Sequence, residues 1–294
     1  MNKKLVSIGV PTYQGGQRIA IALDSLLAQT YRDIEIIISD NASSDDTPSL
    51  CRAYADKDSR IQFFRQKENT GRINNFLFVL AKAKGEYFMW AGDDDLWEPQ
   101  FLETLARGLE LHPDHGVALS SYRRFNEERA DEYVLFRGTR DLTNMSYAQI
   151  YKKMVLHEPI HVFISGIWRT SVTRKLFSRS IPNTIAWDRI MMAEAALMTH
   201  FYSAGEVLFH KYVNPISVKS RYGKDPEQDR QTVLFAYIRY LGALLHRVMT
   251  SHLVPFHRKF SALFPWLGVW WIRRKRIIGV FFRDIKRLQN RNRS

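Results

Sequence analysis

The stretch Glu86-Tyr87-Phe88-Met89-Trp90-Ala91-Gly92-Asp93-Asp94-Asp95 runs an apolar segment directly into three adjacent carboxylates. The segment Glu86 to Ala91 reads as a buried strand. Like charges side by side repel, and a folded chain normally avoids such a run at the end of a buried strand. A divalent cation relieves the repulsion. Carboxylate oxygens are natural ligands of Mg²⁺ or Mn²⁺, and Mg²⁺ takes one or two of them together with substrate phosphates. The plainer alternative is a solvated loop capping a helix that begins near Pro99. Ligands in open α/β sheets collect at strand ends, which favours the cation.

Outward from this point the pattern is regular. Short apolar runs at Leu5 to Val10, Ile34 to Ser39, Ile61 to Phe64 and Tyr87 to Ala91 alternate with helix-period segments at Ile19 to Gln29, Pro48 to Ala55 and Phe76 to Ala83. Such alternation predicts a layered α/β domain with a mostly parallel sheet. Ile19, Leu23, Leu26 and Leu27 recur at helical spacing, and Thr47 followed by Pro48 is a helix start. From Ser120 to about Asp225 the signals mix, with helices expected at Ser146 to Val155 and Trp187 to Met198. Beyond Pro226, the series Leu234, Tyr237, Leu241, Leu244, Leu245, Val248 predicts an amphipathic helix.

Two further clusters follow strands. Asp40-Asn41-Ala42-Ser43-Ser44-Asp45-Asp46-Thr47 comes after the second strand, and Asp40 is placed to accept hydrogen bonds from a nucleobase; its later Ser and Asp residues are turn and cap chemistry. The first strand ends in Pro11-Thr12-Tyr13-Gln14-Gly15-Gly16, whose glycines allow a tight turn and close ligand approach. It lacks the lysine of a Walker loop and the spacing of a dinucleotide fingerprint. His157-Glu158-Pro159-Ile160-His161 satisfies the zinc-protease pattern, but Pro159 breaks the helix that would put both histidines on one face.

In order and spacing, Val6 to Tyr13, Ser25 to Tyr31, Glu35 to Asn41, Asn69-Thr70-Gly71, Ala83 to Phe88 and the triple aspartate with Trp97 and Pro99 resemble the family 2 glycosyltransferases of the GT-A fold. The resemblance covers about residues 5 to 220. It implies an inverting enzyme with a Rossmann-like, mostly parallel sheet flanked by helices. The enzyme would move a sugar from a nucleoside-diphosphate sugar to an acceptor hydroxyl, in cell-surface polysaccharide or lipopolysaccharide synthesis. By the same resemblance Pro11, Thr12 and Tyr13 line the nucleotide pocket, Asp40 contacts the base, and Arg72 and Asp93 approach the nucleotide. Asp94 corresponds best to the metal ligand, holding Mn²⁺ or Mg²⁺ with Asp93 or Asp95, while the family's Asp-x-Asp is also met by Asp93 with Asp95; Gly92 stands where many relatives have the first acid. Asp188, in Trp187-Asp188-Arg189, is the implied catalytic base, its alternative being a first-turn acid favoured by the helix dipole. Tyr212 to Arg221 resembles the loop that closes over the diphosphate, with Asn214 in place of a frequent histidine and Lys219 or Arg221 available for phosphate charge. A nucleotidyltransferase of related fold and a non-catalytic, membrane-associated nucleotide-binding protein remain alternatives.

Composition bounds the rest. The 294 residues are 45% hydrophobic, enough for a core, and the single Cys51 forms no internal disulfide. The chain is expected to be cytoplasmic. Net charge is +13, of which +11 lies from Pro226 onward and only +2 in residues 1 to 225. A body so nearly neutral argues against nucleic acid as partner. It points instead to a tail meeting an anionic surface. There, Trp266, Trp270, Trp271, Phe281 and Phe282 flank Arg273-Arg274-Lys275-Arg276, the pattern of an interfacial anchor at the inner face of a membrane, consistent with a glycan or lipid-linked acceptor. The alternative packs these aromatics on the catalytic domain. The expected division is thus a GT-A domain over 1–225, with a nucleotide half (1–120) and an acceptor half (121–225), and a helical, membrane-associating region over 226–294.

Overall fold

The structure is a computed structural model that describes residues 4–125, 134–136, 142–156, 164–182, 184, 187–212, 236–265, 267, 268 and 271. These residues cluster into two compact units: Met1–Asn144 with Val162–Ser178 and His200–Gly223, and Met145–His161 with Arg179–Thr199 and Lys224–Ser294. The helices over Tyr147–Leu156 and Trp187–Met198 therefore group with the C-terminal region.

The first unit begins with β1 (Val6–Thr12), α1 (Arg18–Leu27), β2 (Ile34–Asp40), α2 (Thr47–Lys57), β3 (Ile61–Arg65), α3 (Arg72–Lys82) and β4 (Tyr87–Trp90). This is the alternation read from the sequence. It continues through β5 (Leu96–Trp97), α4 (Phe101–Leu111), β6 (His115–Phe125), β7 (Val134–Phe136), β8 (Ile167–Arg169), α6 (Thr170–Phe177) and β9 (His200–Tyr212). The described strands form one sheet in the order β3-β2-β1-β4-β8-β6-β9-β5, with β7 on β6. β1 to β4 pair in parallel, β8 runs antiparallel to β4 and β6, and β9 lies parallel to β6.

Every residue of β1 and β2 is buried, as a parallel sheet covered on both faces requires. On α1, Ile19, Ala22, Leu23 and Leu26 form the inward stripe, all inaccessible to solvent; each large aliphatic contributes about 2 kcal/mol through burial. At the amino edge of the sheet Glu35 is buried but satisfied. It accepts from the Ser7 hydroxyl (2.5 Å), the Lys84 N–H (2.7 Å) and the Gln62 amide (3.0 Å).

The two long strands, β6 straddling the start of the mixed stretch and β9 within it, are not marked by the sequence pattern. Their register shifts between Ser120 and Tyr122 interrupt the two-residue alternation by which a strand is recognised.

The second unit holds α5 (Tyr147–Leu156), α7 (Trp187–Met198), α8 (Ala236–Met249) and α9, a helix over 256–265. α8 buries Leu241, Leu244 and Val248 of the stripe expected there, with Leu245 half-buried; Leu234 lies outside the described residues. α7 is buried almost all round, including Glu194, whose carboxylate is satisfied by Arg247 on α8 and by Arg179 at 2.5 Å. Among the described residues no helix is long and apolar enough to cross a membrane. His157 to His161, the segment from 213 to Arg221, Trp266, Trp270, Arg273 to Arg276, Phe281 and Phe282 lie outside the described residues.

Candidate functional site

The site is built where β1, β2 and β4 end at the carboxyl edge of the first unit. Thr12 and Asp40 are register partners across β1 and β2. The loops that follow are tied together: the Gln14 N–H donates to the Ser43 hydroxyl (2.8 Å), and the Gly16 N–H to Asp45 (3.1 Å) and Thr47 (3.0 Å). Gln14 (φ 54°) and Ala42 (φ 63°) take left-handed backbone that non-glycine residues rarely adopt. Such strain persists only where surrounding contacts hold it, and it concentrates at ligand-binding loops.

The acidic loop meets β1 directly. The Thr12 hydroxyl donates to Asp93 Oδ2 at 2.6 Å. Gly15 lies so close to this pair that a Cβ would stand 2.8 Å from Thr12 Oγ1 and 3.0 Å from Asp93 Oδ2. At Gly92 a Cβ would come within 2.5 Å of the Asp95 carboxylate, so a side chain there would have to displace Asp95.

Asp95 is buried at 1% exposure and held by β9. Lys211 Nζ donates to both carboxylate oxygens at 2.9 Å, and the Tyr212 N–H to Oδ1 at 3.1 Å. Lys211 also stands 3.9 Å from Asp94. Burial pushes Asp95 up to about 6, against the pull of Lys211. Burial alone would lower Lys211, but the Asp95 and Asp94 charges outweigh it and raise the ammonium to about 12. Both groups are therefore ionised at neutral pH. Tyr212 reaches the other loop as well: its hydroxyl accepts from Arg18 at 2.8 Å, and the guanidinium lies 4.5 Å from its ring centroid.

On the β2 side, Asp40 is fully buried, accepting from the Ser43 N–H (3.2 Å) and standing 3.5 Å from Arg65. Asn75 on α3 binds Ser39 and the carbonyl of Thr12. Asn41 joins Asn69 (2.7 Å) and the Thr70 N–H (2.9 Å), which fixes the turn before exposed Arg72.

Of the residues singled out in the sequence, Pro11, Thr12, Tyr13, Asp40, Asp93, Asp94 and Asp95 thus lie on neighbouring strand ends or the loops leaving them, and Arg72 opens the helix linked to them through Asn41. Asp188 belongs to the second unit, in the first turn of α7, where its Oδ1 accepts the Arg189 N–H at 2.9 Å. Arg18, Asn75 and Lys211 went unnoticed in the sequence. Nothing local marks them, since each acquires its role from a partner distant in the chain.

Among the described residues no group of three or more His, Cys, Asp or Glu is arranged to hold a metal. The donor chemistry nevertheless fits a hard cation that takes one or two carboxylates and completes its shell with phosphate and water. Asp94 keeps 16% of its side chain exposed and stands 3.9 Å from Lys211, whereas Asp95 is almost wholly buried with both oxygens bonded to Lys211.

Residues 7–177 match the model of glycosyl transferase family 2. Glycosyltransferase GlyG of Streptococcus pneumoniae is 29% identical over 135 residues, 46% of this chain and 44% of that protein. An uncharacterized glycosyltransferase of Haemophilus influenzae is 31% identical over 187 residues, 62% and 57% of the two chains. The chain therefore matches about half the length of these relatives. Among solved structures, S. aureus TarS 1-349 in complex with UDP-GlcNAc gives a TM-score of 0.68 at 18% identity, covering 90% of this chain and 72% of that one. The mannosyltransferase PcManGT from Pyrobaculum calidifontis in complex with GDP-Man and Mn²⁺ gives 0.57 at 17%, covering 94% and 76%. At such identities these two likenesses speak for the fold alone, the α/β sheet flanked by helices expected of GT-A.

Proposed function

The chain belongs to glycosyl transferase family 2, and from that premise we propose that it transfers a sugar from a nucleoside-diphosphate sugar to an acceptor hydroxyl with inversion at the anomeric carbon. The observation that carries this reading is the triple aspartate at the carboxyl edge of a parallel sheet, bonded through Asp93 to Thr12 and through Asp95 to Lys211. TarS is described with UDP and UDP-GlcNAc, and PcManGT with GDP-Man and Mn²⁺, which supports a nucleotide-sugar donor here.

In this reading Pro11, Thr12, Tyr13, Asp40, Arg72 and Asp93 receive the nucleotide. Asp94, with Asp93 or Asp95, holds Mg²⁺ or Mn²⁺. Bound there, the cation supplies Lewis-acid stabilisation of the charge that develops on the leaving diphosphate. Asp188 takes the proton of the acceptor hydroxyl as its oxygen attacks the anomeric carbon opposite the diphosphate, so one C–O bond forms as the other breaks. A positioned base of this kind contributes about 10² to 10⁴ in rate. Residues 1–225 carry the transferase domain. The basic segment from Pro226 onward brings it to the inner face of a membrane, where cell-surface polysaccharide or lipopolysaccharide acceptors are built.

Titration calorimetry of the purified chain with nucleoside diphosphates, with and without Mn²⁺, followed by a panel of nucleotide sugars, tests the reading. Metal-enhanced binding and release of a nucleoside diphosphate are the expected results. Absence of binding to every nucleoside diphosphate with Mn²⁺ present rejects it.

A further inference from the structure

α9 presents an aromatic face to solvent. Phe256, Phe260 and Phe264 are 71%, 52% and 79% exposed. At about 100° per residue, positions spaced by four fall within an arc of roughly 80°. The rings of Phe256 and Phe260 pack edge to face with centroids 5.0 Å apart. Leu267 and Trp271, three and seven residues beyond Phe264, continue the spacing and are 53% and 62% exposed.

The exposure does not come from a loose helix. The opposite side of α9 is anchored: the Arg258 guanidinium lies 3.4 Å from the Tyr147 ring centroid and donates to the Leu197 carbonyl at 3.0 Å, and Ala262 is buried. A helix docked through Arg258, Ala262 and the buried Pro265, with its phenylalanines turned outward, inverts the usual order of burial.

We propose that this face is where the protein enters an anionic lipid surface, the helix lying in the interface plane with Phe256, Phe260, Phe264, Leu267 and Trp271 toward the acyl chains. Charge selects this occupant over a second copy of the chain. The region from Pro226 carries +11, and Arg273-Arg274-Lys275-Arg276 begins two residues after Trp271. A copy would bring the same positive charge to the face, whereas anionic headgroups compensate it. Phenylalanine and tryptophan beside basic residues are also the side chains that partition into the headgroup zone. The inference deepens the reading of the basic tail and supplies the contact face that composition alone left open.

The test is co-sedimentation of the full chain with vesicles of phosphatidylcholine alone or mixed with phosphatidylglycerol. The wild type is expected to bind only the anionic vesicles, and less tightly as salt rises. The double variant Phe260→Ser/Phe264→Ser should bind at least about tenfold more weakly, since two rings leave the interface. Phe260→Trp/Phe264→Trp should keep the affinity. Because both rings are exposed, thermal unfolding and nucleotide binding should not change in either variant. Undiminished vesicle binding by the serine variant overturns the proposal, as does a wild type that ignores anionic vesicles. So does light scattering that shows a dimer converted to monomer by the serine pair without vesicle binding, which would give the face to a second copy. Transfer to a water-soluble acceptor by a protein indifferent to vesicles sinks this inference and leaves the transferase reading intact.

Discussion

Lys211 Nζ lies 2.9 Å from both carboxylate oxygens of Asp95, a residue 116 positions earlier in the chain. The pair joins the last described strand of the sheet to the loop that carries the site. It also divides the labour among three adjacent acids. Asp95 is neutralised within the protein, Asp93 is bonded to Thr12, and Asp94 keeps partial access to solvent.

Lys211→Met should therefore destabilise the protein by about 3 kcal/mol, the lower end for breaking a buried pair, because Lys211 is itself partly exposed and the Tyr212 N–H remains. Adding Asp95→Asn should recover part of the loss. Denaturant titrations of the two single variants and the double measure the coupling; additive losses would contradict it.

The same pair sets a pH dependence. The Asp95 carboxyl rises from 3.8 to about 6 on folding, so the folded state binds the extra proton. Its contribution to stability is complete below about pH 4 and is lost as pH rises through about 6. In Lys211→Met the loss should continue above pH 6, because the cation that holds the carboxylate ionised is gone. Unfolding free energies across pH 4 to 8, compared between the two proteins, check the sign.

At the proposed reaction centre, Asp94→Ala should abolish transfer and reduce Mn²⁺-dependent nucleotide affinity. Asp188→Asn should lower turnover by about 10² or more while nucleotide affinity holds. Initial rates and calorimetry on both variants separate the roles, and unchanged transfer in either one removes that residue from its role.

Glu35 lies at the amino edge of the sheet, away from the strand ends that carry the site. Glu35→Ala leaves Ser7, Lys84 and Gln62 without their shared acceptor and should cost about 3 kcal/mol. Glu35→Gln keeps an acceptor and should cost less. Nucleotide affinity at a temperature where each variant is folded should not change.

Cys51 is inaccessible, and burial, with the charges of Asp40, Asp93 and Asp45, pushes its thiol up to about 12. The folded protein should resist alkylation at neutral pH and react at the rate at which it unfolds. Fast labelling without denaturant would show that α2 opens readily.

The amino-terminal half was legible because its signals are local. Strands buried on both faces read as unbroken apolar runs, and α1 shows its inward stripe within ten residues. The acid clusters were legible for the same reason: each follows its strand in the chain, and parallel strands deliver their ends to one edge. The partners of those acids were not. Lys211 is a single basic residue at the end of β9, a strand whose bulged pairing with β6 hides it from periodicity. Phe256 and Phe260 passed unnoticed because an apolar residue at helical spacing is ordinarily an inward one.

The order of residues by itself determined the alternation of strands and helices, the edge at which the carboxylates gather, and the excess of positive charge after Pro226. Tertiary structure decided that Lys211 neutralises Asp95, that Gly92 packs tightly against the Asp95 carboxylate, and that Arg258 anchors α9 so that its aromatic face turns outward. The reason is one of range. Periodicity and strand order act between covalent neighbours, whereas the partner of a buried charge and the outward side of a helix are fixed only when distant segments pack.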